Sequence, residues 1–133
     1  MNYLLDSNAC LALIHDKPYV VRTHLHRALQ GGSSVSTSSL VIFDLWKRVA
    51  ESPRAQKQIM ETFLAGPLNV LPFDENDAVA AAELRKEMGT LEMKITDLEI
   101  EVSGQARARR LTLVTAGAKL PEFKSLAWRD WSR

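Results

Sequence analysis

Short continuous apolar runs alternate along this chain with longer stretches in which apolar residues recur at helical spacing. The apolar runs predict strands at residues 2–5, 33–37, 69–73, 111–115 and 126–128. Helical spacing and end signals predict helices at residues 8–15, 22–29, 39–51, 56–64, 77–88 and 99–110. Apolar strands separated by helices are typical of parallel strands covered on both faces. The pattern therefore predicts one α/β domain over residues 1–133, a three-layer α/β/α arrangement around a central, mainly parallel sheet.

Composition excludes several classes of protein and selects none. Hydrophobic residues make up 46% of the 133 residues and charged residues 25%, as in ordinary globular domains. The formal net charge is +1, so binding to nucleic acid would need a local basic patch. No apolar run approaches the roughly 20 residues that span a membrane, and no basic leader precedes one. The single cysteine, Cys10, cannot form an internal disulfide and is expected to be a small buried hydrophobe in a reduced, cytoplasmic setting.

The chemistry is expected to come from carboxylates, because the competing constellations are missing from the sequence. Gly31-Gly32 lacks the Lys-Ser/Thr that follows a phosphate-binding glycine loop. One cysteine and three histidines cannot build a cysteine-rich zinc site. His24 and His26 are two residues apart, so they do not share a helix face, and a surface role is predicted for both.

Three acids stand out by their surroundings in the sequence. Asp6 follows the first predicted strand, at the carboxyl end where open α/β sheets bind ligands. Asp44 lies inside an apolar helical segment, where a carboxylate is costly unless it faces a polar cleft. Glu99 opens a helix rich in small residues that suit close packing on a sheet. The inner face of that helix is predicted to consist of Val102, Ser103 and Ala106.

Each of these acids also has a purely structural interpretation. Asp6 or Ser7 fits the N-cap of the first helix. Thr96 and Glu99 have the spacing of a capping box, a role that does not exclude metal binding. Asp44 could simply face solvent. From the residues alone, both interpretations stay open.

Several segments together resemble the successive motifs of PIN-domain proteins, and most closely those of VapC-type toxins from bacterial toxin–antitoxin pairs. Their order, their spacing and the total length of the chain all agree with that family. The similarity spans nearly the whole chain. The segments are residues 4–8 (Leu-Leu-Asp-Ser-Asn), 38–45, 70–74, 104–115 and 126–131.

The resemblance implies a Mg²⁺- or Mn²⁺-dependent endoribonuclease that cuts single-stranded regions of RNA. It also implies a homodimer that a VapB-like antitoxin neutralises, with operator DNA bound only through the antitoxin. Asp6, Asp44 and Glu99 would then be the catalytic, metal-binding residues. Ser7 and Asn8, at a helix start, would hydrogen-bond a ligand or a phosphate oxygen. The basic residues expected to attract RNA are Lys47, Arg48, Arg107, Arg109 and Arg110, although the last three also fit a solvated helix end.

The chain departs from the family pattern at four places. Asp44 stands where the family normally has Glu, and Glu99 where it normally has Asp. Asp97 is an alternative to Glu99 if two residues are inserted before the last long strand. An Asp–Glu exchange moves a carboxylate by about 1 Å, whereas Mg²⁺ requires near-octahedral oxygens at about 2.0–2.1 Å.

The other departures are Gly117, in place of a polar Asn or Asp, and Lys47-Arg48, in place of a frequent Tyr-Gly. These changes leave a second hypothesis open. The chain could be a degenerate PIN domain with little or no nuclease activity that binds an antitoxin or RNA.

Overall fold

In the computed structural model, which describes residues 1–49, 54–89 and 94–133, a five-stranded parallel sheet forms the centre of the protein. The strands are β1 (Tyr3–Leu5), β2 (Val35–Ser38), β3 (Asn69–Leu71), β4 (Thr112–Thr115) and β5 (Trp128–Asp130). Their order across the sheet is β3-β2-β1-β4-β5, and every neighbouring pair is parallel. The predicted α/β/α class is therefore confirmed.

Helices connect the strands and flank the sheet, so that helices and sheet together form three layers. They are α1 (Ser7–His15), α2 (Val20–Gln30), α3 (Ser39–Val49), α4 (Arg54–Leu64), α5 (Glu75–Met88) and α6 (Asp97–Ala108). Helix α1 contacts α2, α3 and α4, and α3 also contacts α4, while α5 packs along α6. Within the described ranges, no helix has the length and apolar character needed to cross a bilayer.

The predicted elements differ from the observed ones mainly at their ends. Helix α2 begins two residues before the predicted start at Arg22, and α6 begins at Asp97 because Thr96 is its N-cap. The last strand is Trp128–Asp130 rather than residues 126–128, since Leu113 pairs with Trp128 in the sheet. The predicted end of the third helix at residue 51 lies outside the described residues.

The central strand β1 explains why the first residues of the chain are so apolar. Leu4 and Leu5 are both 0% exposed, and β4 beside them is buried along its whole length. A strand that is covered on both faces has no solvent side, so apolar residues follow one another without alternation. Cys10 is also buried in this core, as predicted, and donates a weak hydrogen bond to Thr37.

Close packing of α6 at Gly104 occurs against a helix. A Cβ atom built on Gly104 would lie 2.5 Å from the Cα and the N of Ala81 on α5. Gly104 therefore serves packing on α5, while α6 also contacts strand β4 of the sheet. The predicted inner face is confirmed, since Val102, Ser103 and Ala106 are all buried.

Candidate functional site

The strand order places the end of β1 at the point where the chain changes direction across the sheet. From β1 the chain continues to β2 and β3 on one side, and it later adds β4 and β5 on the other. Ligands of open α/β sheets bind outside the carboxyl ends of the strands at such a switch point. Asp6 follows β1 directly, and its backbone N–H donates to the carbonyl of Val114 in β4, 2.9 Å away. Asp6 therefore lies in the crevice that the topology creates.

Asp6 also caps the helix that follows it. One carboxylate oxygen, Oδ1, accepts a hydrogen bond from the backbone N–H of Ala9 at 2.9 Å. The structural interpretation of Asp6 is thus correct, but it does not exclude the functional one. The cap fixes the carboxyl group at the carboxyl edge of the sheet.

A pocket of about 330 Å³ opens at this edge, between the starts of α1 and α6 and the middle of α3. All three predicted acids line it, and so do both predicted hydrogen-bonding residues. Two of the predicted basic residues line it as well. The polar and charged lining residues are Asp6, Ser7, Asn8, Asp44, Lys47, Arg48, Thr96, Glu99 and Ser103, and the apolar ones are Leu98, Val102, Leu113 and Leu120.

The carboxyl group of Asp6 is perturbed by its position. Burial raises its pKa to about 6 from the ordinary 3.8, and the negative charge of Glu99 acts in the same direction. The backbone of Ala9 and the nearby hydroxyl of Thr115 act in the opposite direction. Within the described residues, Thr115 Oγ1 is buried without a partner at full hydrogen-bond geometry. Both Glu99 and the Thr115 hydroxyl therefore act on the Asp6 carboxyl group, and the contact between Thr115 and Asp6 lacks ordinary hydrogen-bond geometry.

Asp44 faces the pocket and not the solvent, being 7% exposed. Its Oδ2 accepts hydrogen bonds from Ser7 Oγ at 3.0 Å and from Arg48 Nε at 3.2 Å. Lys47 Nζ lies 3.6 Å from its other oxygen, Oδ1. These contacts offset the cost of burying a carboxylate within an apolar helix segment. The polar-cleft interpretation of Asp44 is confirmed.

Glu99 both caps α6 and lines the pocket. Its Oε1 accepts from the backbone N–H of Thr96 at 3.3 Å and from the Thr96 hydroxyl at 2.9 Å, which completes the predicted capping box. Asp97, the alternative third acid, is placed elsewhere. Its side chain is 88% exposed and pairs with Arg85, and it does not line the pocket. Of the two registers, the structure brings Glu99 to Asp6.

The three acids share a pocket without converging on one point. Among the residues that the structure describes, no three His, Cys, Asp or Glu side chains stand close enough together to hold a metal ion. The charge of Asp44, unlike that of the other two acids, is already balanced, because two cations and a hydroxyl contact its carboxylate. Asp6 and Glu99 form the part of the pocket where negative charges repel.

The arginines at the end of α6 lie outside this pocket, and that they attract RNA stays a prediction. Arg107 bonds Glu87 on α5 at 2.7 Å, and Arg109 bonds the buried Asp77 at 2.9 Å. The acids of α5 face α6 and engage both guanidinium groups, so the solvated-helix-end interpretation is wrong for these two. Arg110 is exposed and lies outside the pocket lining.

The structure assigns roles to two further positions, Gly117 and Thr115. Gly117 donates its backbone N–H to Asp130 at 3.0 Å and has a φ of 83°, so it forms a turn and brings no polar side chain to the site. Thr115 was missed at the level of the sequence. The sequence feature that could have indicated Thr115 is a hydroxyl at the carboxyl end of a strand. That feature is informative only when the strand is known to lie beside β1.

Residues 3–126 match the PIN domain family, so the chain belongs to that family. Two relatives match along almost their whole length. The chain is 27% identical to ribonuclease VapC2 of Rickettsia felis, with all of both chains covered. It is 26% identical to the tRNA(fMet)-specific endonuclease VapC of Shigella flexneri, with 99% of each covered.

Solved structures agree with this assignment at the level of the fold. The chain superposes on a chain of VapBC2 from Rickettsia felis, bound to a DNA fragment from its promoter, with a TM-score of 0.87 and 24% identity over 98% and 99% of the two chains. For DNA-bound VapBC from Salmonella typhimurium the TM-score is 0.85, with 22% identity over 98% of each chain. The resemblance to PIN-domain, VapC-type proteins is confirmed.

Proposed function

We propose that this protein is a VapC-type endoribonuclease toxin that hydrolyses RNA phosphodiester bonds with the help of Mg²⁺ or Mn²⁺. The observation that carries the proposal is the pocket at the switch point of the sheet, which Asp6, Asp44 and Glu99 all line. The names of the relatives, ribonuclease and endonuclease, support the same class of reaction. Residues 1–133 would act as a single PIN domain.

The residues present fit a divalent cation best on the Asp6 side of the pocket. Burial raises the pKa of Asp6, repulsion from Glu99 adds to that shift, and a bound cation would relieve both penalties. The Thr115 hydroxyl, which has no hydrogen bond of ordinary geometry, adds a further oxygen of the type that Mg²⁺ prefers. Asp6 and Glu99 would hold the ion, and Asp44 would complete the acidic lining. Such an ion supplies activation of a water nucleophile and neutralisation of the charge that develops on phosphate.

Other groups of the chain would hold the acids in place and bind the substrate near that ion. The Ala9 backbone holds the Asp6 carboxylate, and the Ser7 hydroxyl holds Asp44. Asn8, exposed at the start of α1, would donate to a phosphate oxygen where backbone N–H groups also point outward. Leu98, Val102 and Leu120 belong to the apolar part of the pocket lining, which would lower the local dielectric constant around the bound phosphate.

The partners follow from the relatives and are part of the proposal. Three of the similar solved structures are VapBC complexes, and two of these three are bound to DNA, which supports a VapB-like antitoxin as the partner that neutralises this chain. Operator DNA would be bound through the antitoxin only. We also propose a homodimer, and a cytoplasmic location in which the RNA substrate is available.

One observation favours the second candidate function, a degenerate PIN domain that binds an antitoxin or RNA without cleaving it. Lys47 and Arg48 already balance the charge of Asp44, and the three acids do not converge. Thermal melting with Mn²⁺ separates the two candidates, because a ligand that binds only the folded state must raise the melting temperature. The nuclease predicts stabilisation by millimolar Mn²⁺ that the Asp6→Asn variant loses.

A test in cells complements the melting experiment. Expression of the wild-type chain without an antitoxin should arrest growth, and Asp6→Asn should abolish the arrest. Asp97→Asn is the matched control, since Asp97 is exposed and lies outside the pocket. Growth arrest that persists in Asp6→Asn, or no stabilisation by Mn²⁺, would contradict the proposed role of Asp6.

A further inference from the structure

An exposed aromatic ring stands beside the acidic pocket without an evident structural purpose. Phe43 is 68% exposed, although its neighbours on α3, Val41 and Leu45, are buried in the core. Single exposed apolar side chains are common on protein surfaces, so the exposure of Phe43 is informative only together with its surroundings. What distinguishes Phe43 is its position beside the pocket residue Lys47.

Lys47, one helical turn further along α3, joins this ring to the pocket. Its Nζ lies 6.0 Å from the centroid of the Phe43 ring, within the range of a cation–π contact. The same Nζ lies 3.6 Å from Asp44 Oδ1, at the pocket wall. Ring, ammonium and acidic pocket thus follow one another along a single face of α3.

The Lys47 ammonium is well suited to bind a second anion. Its side chain is 64% exposed, and ion pairs of such residues are weak. An ammonium group has three donor hydrogens, more than one carboxylate oxygen uses. Arg48 Nε also bonds Asp44, at 3.2 Å, so Asp44 keeps a counter-charge when Lys47 turns toward a phosphate.

We propose that Phe43 and Lys47 form a nucleotide-binding strip, at which one base of single-stranded RNA stacks on Phe43 and a neighbouring phosphate binds Lys47. An aromatic platform next to a cation is the arrangement by which proteins bind single strands without reading their sequence. The proposal rests on the proposed function, because RNA is the substrate that the adjacent pocket would cleave. The strip would hold the strand at the entrance of the pocket.

Another occupant of Phe43 would be a second copy of this chain. The charges argue for RNA, since the cores of protein–protein interfaces are depleted of charged residues and Phe43 stands against the exposed cation Lys47. The experiment must still separate the two occupants. It should therefore measure both RNA binding and the oligomeric state.

The test is fluorescence anisotropy of a labelled single-stranded RNA in EDTA, where no metal-dependent cleavage occurs. Phe43→Ala should weaken binding about tenfold, within the range for loss of one stacked base. Lys47→Met should weaken binding several-fold and lower the slope of log affinity against log salt by about 0.7, the value for one phosphate contact on a single strand. Phe43→Leu keeps the apolar volume without the ring and should behave like Phe43→Ala.

Matched controls remove equivalent groups elsewhere on the surface. Tyr19→Ala removes another exposed aromatic residue, and Lys86→Met removes another exposed lysine. Both controls should bind RNA as the wild-type chain does. Equal losses in variants and controls would overturn the proposal. So would unchanged RNA binding in Phe43→Ala and Phe43→Leu together with a shift from dimer to monomer in light scattering.

The outcome can be separated from that of the nuclease proposal. Wild-type cleavage of RNA in Mn²⁺ with unchanged binding by Lys47→Met and Phe43→Ala would leave the nuclease standing and reject the strip. Binding that depends on Phe43 and Lys47, without cleavage in Mn²⁺, would support the strip and reject the nuclease.

Discussion

Asp6 meets two requirements with one carboxyl group. It caps α1 through the Ala9 backbone, and it presents an acid at the switch point of the sheet. The sequence allowed both interpretations, because a residue that follows a strand and precedes a helix is at once a cap and a strand-end ligand. This placement carries an energetic cost that the sequence did not show. Burial of the carboxyl group, together with the charge of Glu99, raises the pKa of Asp6 to about 6.

That raised pKa predicts how the stability of the metal-free protein depends on pH. A group whose pKa is 3.8 in the unfolded chain and about 6 in the folded one stabilises the protein below pH 4, and this contribution is lost as the pH rises through 6. Asp6→Asn retains a good N-cap residue and has no charge to bury. We expect it to be more stable than the wild-type chain by roughly 1–3 kcal/mol at pH 7.5 in EDTA, with little difference near pH 4.

Urea unfolding at the two pH values checks this prediction. Asp97→Asn serves as the control, because its side chain is 88% exposed and its change should not follow the same pH pattern. A stability difference for Asp6→Asn that is the same at both pH values would contradict the burial of the Asp6 charge.

Cys10 leads to a second prediction at the scale of the residue. It is 0% exposed, and burial raises the pKa of its thiol to about 12. Because only the thiolate reacts readily, Cys10 should not be labelled by maleimide in the folded protein. Mass spectrometry should detect one added label in guanidinium chloride and none in buffer. Rapid labelling under native conditions would show that α1 opens more readily than its packing suggests.

At the scale of the element, α6 depends on a contact that the sequence suggested only in part. The small residues of α6 indicated close packing, but their partner could not be predicted, because nothing local distinguishes a sheet from a neighbouring helix. In the structure the partner is the backbone of Ala81 in α5. The same pair of helices is joined by Arg107 and Arg109, whose acidic partners lie 20 and 32 residues earlier in the sequence.

Gly104→Ala tests this packing directly. Its Cβ would lie 2.5 Å from two backbone atoms of Ala81, which cannot move as a flexible side chain would. The helices must separate, and we expect a net loss of about 1–3 kcal/mol, despite the better helix propensity of alanine. Ala108→Ser, on the exposed part of the same helix, should change stability by only a few tenths of that amount. Urea unfolding of both variants provides the measurement, and a Gly104→Ala variant as stable as the wild-type chain would refute the close approach.

At the scale of the whole molecule, the alternation of apolar runs and helical patterns was enough to predict the class of fold. It could not give the strand order, because the apolar content of β2 and β4 is compatible with either side of β1. The strand order decides the site, since it places Thr115 next to Asp6 and brings α3 and α6 to the same pocket. This is why the acids were predicted from the sequence, whereas Thr115 and the roles of Arg107 and Arg109 were not.

The account of the whole molecule depends on one claim, that the pocket around Asp6 is a metal-dependent RNA-cleaving site. The most direct test is incubation of the purified chain with a single-stranded RNA in Mn²⁺, followed by gel electrophoresis, with Asp6→Asn and Asp97→Asn measured in parallel. The account predicts cleavage by the wild-type chain and by Asp97→Asn, at least a hundredfold less by Asp6→Asn, and none in EDTA, since losing one metal ligand removes several kcal/mol of transition-state stabilisation. Cleavage that persists in Asp6→Asn or in EDTA, or intact RNA with the wild-type chain, would contradict it.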